Sequence, residues 1–453
     1  MRESRRNYRI VALVVAFALF MQQLDATVLT IALPAMSRDF GIPASSLSLA
    51  LTSYLVALAV FIPASGTLAD RFGSRTIFCG AIALFMAGSI ACAQSVGLAS
   101  LVAARFLQGI GGAMMVPVGR LVLLRSVGRD DLVAALSWLV MPALIGPIVG
   151  PPLGGLIVTY LDWRWIFYIN IPIGTAGLAL ALWLIPQIRA VEVSLFDLAG
   201  FLLSGVALGC LVFGLELASH AIEPAIIIGL LACGSLFGIA YVRHARRVEE
   251  PILDLSLLAI PTFGLSVAGG TLIRVAQGAQ PFLLPLMFQL GFGLSAAKAG
   301  TIMMANALGA LAMKPIAPLI IQRFGYRLSL TAASVAAAVA IGSCALFRAD
   351  TPHLIIAAVL FASGFFTSLL FTGYNAMAFI DVDQTRMSAA TSLYATFQQL
   401  SLSLGICLAA TLLEIRGTKA LGDLAEHFII IALVGFAATV PNWMVRSDAT
   451  KAT

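Results

Sequence analysis

Fourteen long apolar runs divide this chain, at roughly residues 9–34, 47–69, 76–96, 98–123, 133–158, 165–186, 197–217, 222–242, 262–289, 297–320, 326–347, 353–376, 388–412 and 425–445. About 20 apolar residues cross a bilayer as a helix. In lipid, a run of that length must satisfy its backbone polar groups within itself, which only a helix does. Of the 453 residues, 60% are hydrophobic and 11% charged, too little charge to cover a soluble chain of this size. The expected fold class is an all-α polytopic membrane protein with 14 transmembrane spans. The first run exceeds a signal-peptide core and is followed by no small-residue cleavage site, so it reads as a span.

An even number of spans places both termini on one side. Most Lys and Arg residues in the connections, among them Arg71, Arg75, Arg125, Arg129, Arg189, Arg243, Arg246, Arg247, Arg323 and Arg327, fall on that same side. The positive-inside rule then puts both termini in the cytoplasm. Short loops without evident glycosylation signals suggest a bacterial inner (cytoplasmic) membrane. The net charge of +6 reflects the loop bias. No nucleic-acid partner is expected, because the basic residues are scattered and lack an aromatic platform. The six cysteines lie in or beside apolar runs without metal-ligand spacing, so no metal is expected. The four histidines, His220, His244, His353 and His427, read as solvated surface residues. No phosphate-cradling loop and no Ser/His/Asp constellation is present, so neither a nucleotide, a cofactor nor an enzymatic activity is expected.

The chain also repeats itself. "GTLADRFGSR" (Gly66 to Arg75) follows span 2 and "PLIIQRFGYR" (Pro318 to Arg327) follows span 10, with Arg, Phe, Gly and Arg aligned. This pairs a six-helix half at 9–187 with another at 258–446, and leaves two inserted spans at 195–243. Two homologous helical halves mark a transporter with its substrate site between them near mid-membrane.

Four blocks carry a family resemblance: "LDATVLTIALP" in span 1, "GTLADRFGSR" after span 2, "LVAARFLQGIGGAMMVPVGR" in span 4 and "PALIGPIVGPPLGG" in span 5. "DWRWIFYINIPIG" opens span 6 in the same manner. In this order they resemble the major facilitator superfamily, specifically its fourteen-span drug:proton antiporter branch (the EmrB and QacA type), and within it the MdtD-like group. The second-half loop departs from the pattern at Gln322, opposite Asp70.

The resemblance implies roles for particular residues. Gly66, Asp70, Arg71, Gly73 and Arg75 would form an inner latch, with Gly66 admitting a facing helix and Asp70 favoured near a helix N-terminus. The alternative is a basic loop that only sets topology. In span 5, Pro142, Gly146, Gly150 and Gly154 share a face, while Pro147, Pro151 and Pro152 interrupt the backbone bonding. That reads as a bent, closely packed gate helix, or as plain packing.

Asp25 poses the sharpest question, because a carboxylate at this depth is costly. Counted from Pro34 it lies about 13 Å deep, and Arg105 lies about 10 Å deep in span 4, a neighbour of span 1 in the implied fold. They form either a fixed ion pair or, if the arginine moves during a transport cycle, a proton switch. Gln22 and Gln108 extend a polar stripe on those spans. In the second half Arg274, Gln277, Asn306 and Lys314 are candidate substrate contacts. Lys314 could instead snorkel to the surface, and Arg274 could cap a helix break. The expected function is a proton-coupled antiporter that exports small amphipathic compounds or drugs. Its partners would be the substrate, protons and the bilayer, and it would act as a monomer. The alternatives are a dedicated exporter of one metabolite, organic acid or chelator, and a non-transporting membrane sensor.

Overall fold

The computed structural model of the protein describes residues 2–126, 132–185, 187, 196–218, 223–383, 386–416 and 424–445; of these, 2–10, 124–126, 132–144 and 416 are described by backbone alone. Fourteen helical units run through the described residues, and eleven of the described stretches are long and apolar enough to cross a membrane. The first half holds α1 (Arg2–Phe40), α2 (Ser48–Phe72), α3 (Ser74–Ala93), α4 (Leu98–Ser126), α5 (Leu132–Tyr160) and α6 (Asn170–Leu184), the last preceded by a single turn at Trp165–Tyr168. The inserted pair is α7 (Leu198–Leu217) and α8 (Pro224–Ala245). The second half holds α9 (Pro261–Leu286), α10 (Ala296–Met313), α11 (Ala317–Ser343), α12 (His353–Met377), α13 (Met387–Arg416) and α14 (Ala425–Phe436), which is continued by Thr439–Met444.

Packing repeats between the halves. In the first, α1 packs on α5 and α6, α4 on α2 and α3, and α3 on α6. In the second, α9 packs on α13 and α14, α12 on α10 and α11, and α11 on α14. Each pair maps onto its counterpart when α1–α6 are matched to α9–α14. The backbone agrees: Gly73 and Gly325, aligned in the two loops, both take positive φ, 96° and 75°. A side chain is disfavoured there, which accounts for glycine at both turns.

Two departures from the sequence expectation have clear causes. Span 10 is interrupted. Pro315 has no N–H to donate, so Lys314–Ile316 form tight turns through Lys314 N to Leu311 O and Ile316 N to Met313 O. The chain becomes helical again at Ala317 and continues through the Gly325 kink into α11. Lys314 therefore lies at a helix break and is exposed, with Nζ 3.4 Å from Thr372 Oγ1, and is not a buried cation. Nor are the histidines all surface residues. His427 is buried within α14, and His244 Nε2 lies 2.7 Å from Asp197 Oδ1. His353 is exposed, and His220 falls outside the described residues.

The halves meet along two seams, α5 against α10 and α2 against α13. Four hydrogen bonds between described residues join the halves. Gln289 Nε2 donates to Ile31 O (2.9 Å), Ala297 N to Thr159 Oγ1 (3.1 Å) and Ser45 Oγ to Glu414 Oε2 (3.1 Å). These three lie at the end where α1 leads into α2. The fourth, Thr396 Oγ1 to Ala59 O (3.4 Å), lies near mid-helix. A Cβ at Gly155 would collide with the Ala296 carbonyl, and one at Gly300 with that of Pro151, so α5 and α10 approach backbone to backbone. This end is sealed. At the opposite end Gly66 is exposed, with no described residue near the position of a Cβ. The close approach expected there is not made in this state.

Candidate functional site

α1 and α4 bring the predicted pair together. Arg105 Nη1 lies 2.6 Å from Asp25 Oδ2, with both side chains 1% exposed. Three further polar groups complete the arrangement. Gln108 Nε2 donates to Asp25 Oδ1 at 2.9 Å and to Ser89 Oγ at 2.7 Å. Asn170 Nδ2 donates to Asp25 Oδ1 at 2.7 Å. Arg105 Nη1 also donates to Gln108 Oε1 at 2.5 Å, and its guanidinium lies 4.3 Å from the Tyr54 ring centroid. Asp25 thus receives charge-assisted bonds from three side chains, which offsets the cost of burying it.

The network also holds unused capacity. Arg105 Nε and Asn170 Oδ1 are buried without a hydrogen-bond partner in the described protein. A donor and an acceptor left over in one arrangement are what a second arrangement would use.

Arg105 faces two ways. Besides binding Asp25, it lines a central cavity of about 300 Å³ between the halves. Thr27, Thr30 and Tyr54 line the first-half side, and Gln277, Gln280 and Asn306 the second. The remaining wall is largely apolar, including Leu51, Phe282, Met303 and Ile406. An apolar chamber with a few convergent amides suits a small amphipathic guest. α9 carries Gln277 and Gln280 on this face.

The other predicted site residues divide. Gln277 and Asn306 reach the cavity. Gln22 and Gln108 are buried behind its wall. Arg274 is 5% exposed and lies outside the lining; Nη2 donates to Tyr394 Oη at 3.3 Å, with the Phe371 and Tyr394 rings 5.1 and 5.2 Å from its guanidinium carbon. Lys314 is at the helix break, away from the lining. In α5, Gly146, Gly150 and Gly154 press on Gln23, Thr27 and Val28 of α1, while Pro147 and Pro151 face the cavity. The helix is unbroken through both prolines; the side chain of Pro142 lies outside the described residues. Asp70 and Arg75 are half-buried and Arg71 exposed. Gln187 Nε2 bonds Phe72 O and Thr76 Oγ1 across the Gly73 turn.

Sequence reasoning missed Asn170, Ser89 and Tyr54. Asn170 had a signal, standing inside the quoted block that opens span 6. The same block anchors α6 to the end of α1, with Arg164 Nη2 3.0 Å and Trp163 Nε1 3.1 Å from Asp39 Oδ2.

Comparison with known proteins agrees with this geometry. The family model described as "Major Facilitator Superfamily" matches residues 15–406 and 266–453. "Putative multidrug resistance protein MdtD" of Cronobacter sakazakii is 40% identical over 418 residues, covering 92% of this chain and 88% of the relative. The protein of the same description from Klebsiella pneumoniae is 39% identical over 408 residues, covering 90% and 86%. Among solved structures, a POT family transporter in complex with 5-aminolevulinic acid superposes with a TM-score of 0.72 at 16% identity, covering 96% of this chain and 95% of that one. The xylose transporter XylE from E. coli gives 0.65 at 14%, covering 97% and 98%, and these two support the fold alone. The chain belongs to the major facilitator superfamily, among its multidrug-resistance-type members.

Proposed function

We propose that this protein is a proton-coupled antiporter that exports small amphipathic compounds across the bacterial cytoplasmic membrane. It works as a monomer with both termini in the cytoplasm, so the sealed end faces outward and the open end inward. The names of the curated relatives support drug export, and the apolar chamber with its amide groups supports an amphipathic guest.

One observation carries the coupling: Arg105 is shared between the Asp25 carboxylate and the cavity wall. Protonating Asp25 removes the attraction that holds Arg105, an attraction magnified by low local dielectric. The freed guanidinium turns donors toward the chamber. A guest that engages Arg105 conversely weakens its hold on Asp25. Proton and substrate therefore bias one network in opposite directions, as exchange requires. Asp70, Arg71 and Arg75 would close the inner end in the alternate state. Gly146, Gly150 and Gly154 fix α5 to α1 so that the two move as one wall.

A second reading, export of one acceptor-bearing metabolite, is favoured by Arg274, which has no carboxylate within ion-pair distance among the described residues. An efflux screen of an overproducing strain, followed by proton release from inverted vesicles, tests the function. Efflux that collapses with the proton gradient is expected; efflux indifferent to the gradient refutes antiport.

A further inference from the structure

The second half carries a polar network built like that of the first, with one difference in charge. In the first half Asn170 of α6 donates from Nδ2 to Ser89 Oγ of α3 at 3.2 Å. In the second, Asn442, in the stretch that continues α14, donates from Nδ2 to Ser334 Oγ of α11 at 3.0 Å. These helices correspond when α1–α6 are matched to α9–α14. α12, the counterpart of α4, adds Tyr374, whose Oη donates to Asn442 Oδ1 at 2.7 Å. The first network lies toward the sealed end and the second toward the opposite end. At the first, α1 brings the Asp25 carboxylate to the Arg105 guanidinium. At the second, the counterpart helix α9 brings a guanidinium, Arg274, and no carboxylate lies within ion-pair distance of it among the described residues.

Arg274 is cradled but not used up. Gly269 admits the Tyr374 ring, and a Cβ at Gly270 would overlap Arg274 Nη1, so the two glycines make room for this cluster. Nη2 donates to Tyr394 Oη at 3.3 Å, and the Phe371 and Tyr394 rings flank the guanidinium. Nε and Nη1 have no hydrogen-bond partner among the described residues, and unlike Arg105 Nε they are not shut off from solvent. The Tyr394 hydroxyl accepts from Arg274 and keeps its own proton to donate. The neighbouring helices supply no counter-charge. α9, α10, α11 and α12 contain no Asp or Glu, and Glu414 of α13 and Glu426 of α14 stand at the sealed end. In the connections at the opposite end Asp254 pairs with Arg386, Asp381 accepts from Thr262, and Asp383 is exposed. Lys314 adds a second cation beside Thr372, the residue next to Phe371 on α12. Asn375, one turn beyond Phe371 on the same face, is exposed and accepts from Gln398 at 3.0 Å, marking a polar approach from that end. A buried guanidinium is costly without an anion, and low local dielectric makes it bind one strongly.

We propose that Arg274 and Tyr394 form an anion-binding site entered from the end opposite the seal. Its ligand is a singly charged hydrogen-bond acceptor, either the carboxylate of a guest or a chloride ion from the medium. The guanidinium and the hydroxyl give it charge-assisted bonds, as Arg105 does for Asp25. Gln277, one turn further along α9, lines the chamber, so a carboxylate held at Arg274 leaves an apolar tail within reach of the chamber wall. For a guest carboxylate the site rests on the second reading of the function and deepens it. The binding itself needs neither Asp25 nor a proton gradient.

The test uses full-length protein in nanodiscs, in low-salt, chloride-free buffer at neutral pH, with radiolabelled octanoate and radiolabelled chloride as separate probes and empty nanodiscs as the background. Saturable octanoate binding that chloride displaces and octanol does not assigns the site to a guest carboxylate. Saturable chloride binding without octanoate binding assigns it to the inorganic ion, and both results support the site. Arg274→Gln is expected to weaken the binding about tenfold or more. No saturable binding of either probe above empty nanodiscs overturns the proposal, as does binding in Arg274→Gln equal to wild type. Should Arg274→Gln not fold, Gly270→Ala crowds Nη1 while keeping every charge, and Tyr394→Phe removes the hydroxyl. Each is expected to weaken binding several-fold, and wild-type affinity in both overturns the proposal. Failure of the antiport reading would appear instead as efflux indifferent to the proton gradient, which this equilibrium binding does not involve.

Discussion

Gly300→Ala isolates the seal between the halves. In the sealed state a Cβ at Gly300 would overlap the Pro151 carbonyl and crowd Pro152, and backbone cannot rotate aside as a side chain can. Relief requires α5 and α10 to separate. Overpacking of this kind costs about 1–3 kcal/mol. The cost falls only on the state in which the two helices touch, so the ratio of sealed to opened molecules drops by roughly 5- to 150-fold. Gly155→Ala, which meets the Ala296 carbonyl on the same seam, shifts the population in the same direction. The double variant adds less than the sum, because one separation relieves both overlaps. The assay is the distance between spin labels at positions 96 and 354 at constant pH. A population moved toward longer distances supports the seal. Wild-type distances in both single variants refute the claim that this backbone contact holds the end shut.

At the opposite end, Gly66 is exposed in the state described, and the proposed latch around Asp70 is probed from there. Asp70→Asn removes a charge-assisted contact from the alternate state, worth about 1–3 kcal/mol, so a reporter at Gly66→Cys becomes more reactive from the open side; unchanged reactivity would reduce the loop to a topology signal. Arg274→Gln lowers export of a carboxylate-bearing amphipath at least several-fold and spares a lipophilic cation; equal loss of both would assign Arg274 to folding. At the end opposite the seal, Arg386 Nη2 lies 2.5 Å from Asp254 Oδ2 and clasps the α8–α9 connection to α13. Burial alone would raise the Asp254 pKa, but the Ser256 hydrogen bonds and the Arg386 ion pair outweigh it and hold the carboxyl below its usual range. A depressed carboxyl stabilises the folded clasp above the ordinary carboxylate pKa, and that stabilisation is lost as pH falls through the lowered value. Hydrogen exchange at residues 254–260 should therefore stay slow down to pH 5 in wild type, with Arg386→Gln weakening protection at higher pH; identical profiles would remove the ion pair from the account.

Patterns along one helix could be read from the sequence, while contacts among three helices could not. Continuous apolar runs marked the spans, because lipid leaves the backbone no alternative to a helix. Asp25 and Arg105 stood out because charge in an apolar run demands a partner, and comparable depth on two neighbouring spans supplied one. Asn170 was marked only by its place in the block that opens span 6, and Ser89 not at all; an amide or hydroxyl in a span is unremarkable until a third helix brings it to the carboxylate. Lys314 was misplaced because hydropathy ran straight across Pro315, where hydrogen bonding does not. The inserted spans were legible only as an addition to the two halves, and only packing shows α7 filling the junction of α2 and α13. The glycines of α5 were legible as a small-residue face, but the sequence did not reveal that one face meets α1 and the next meets α10.

The central claim is that Asp25 couples proton movement to the chamber through Arg105. The most direct measurement compares wild type and Asp25→Asn in proteoliposomes, using a substrate identified by the efflux screen, in two modes: uphill transport driven by a proton gradient, and substrate–substrate exchange without one. The amide mimics a permanently protonated acid and keeps the chamber intact. The account predicts that exchange persists while gradient-driven accumulation is lost. Gradient-driven accumulation at the wild-type level in Asp25→Asn would contradict it.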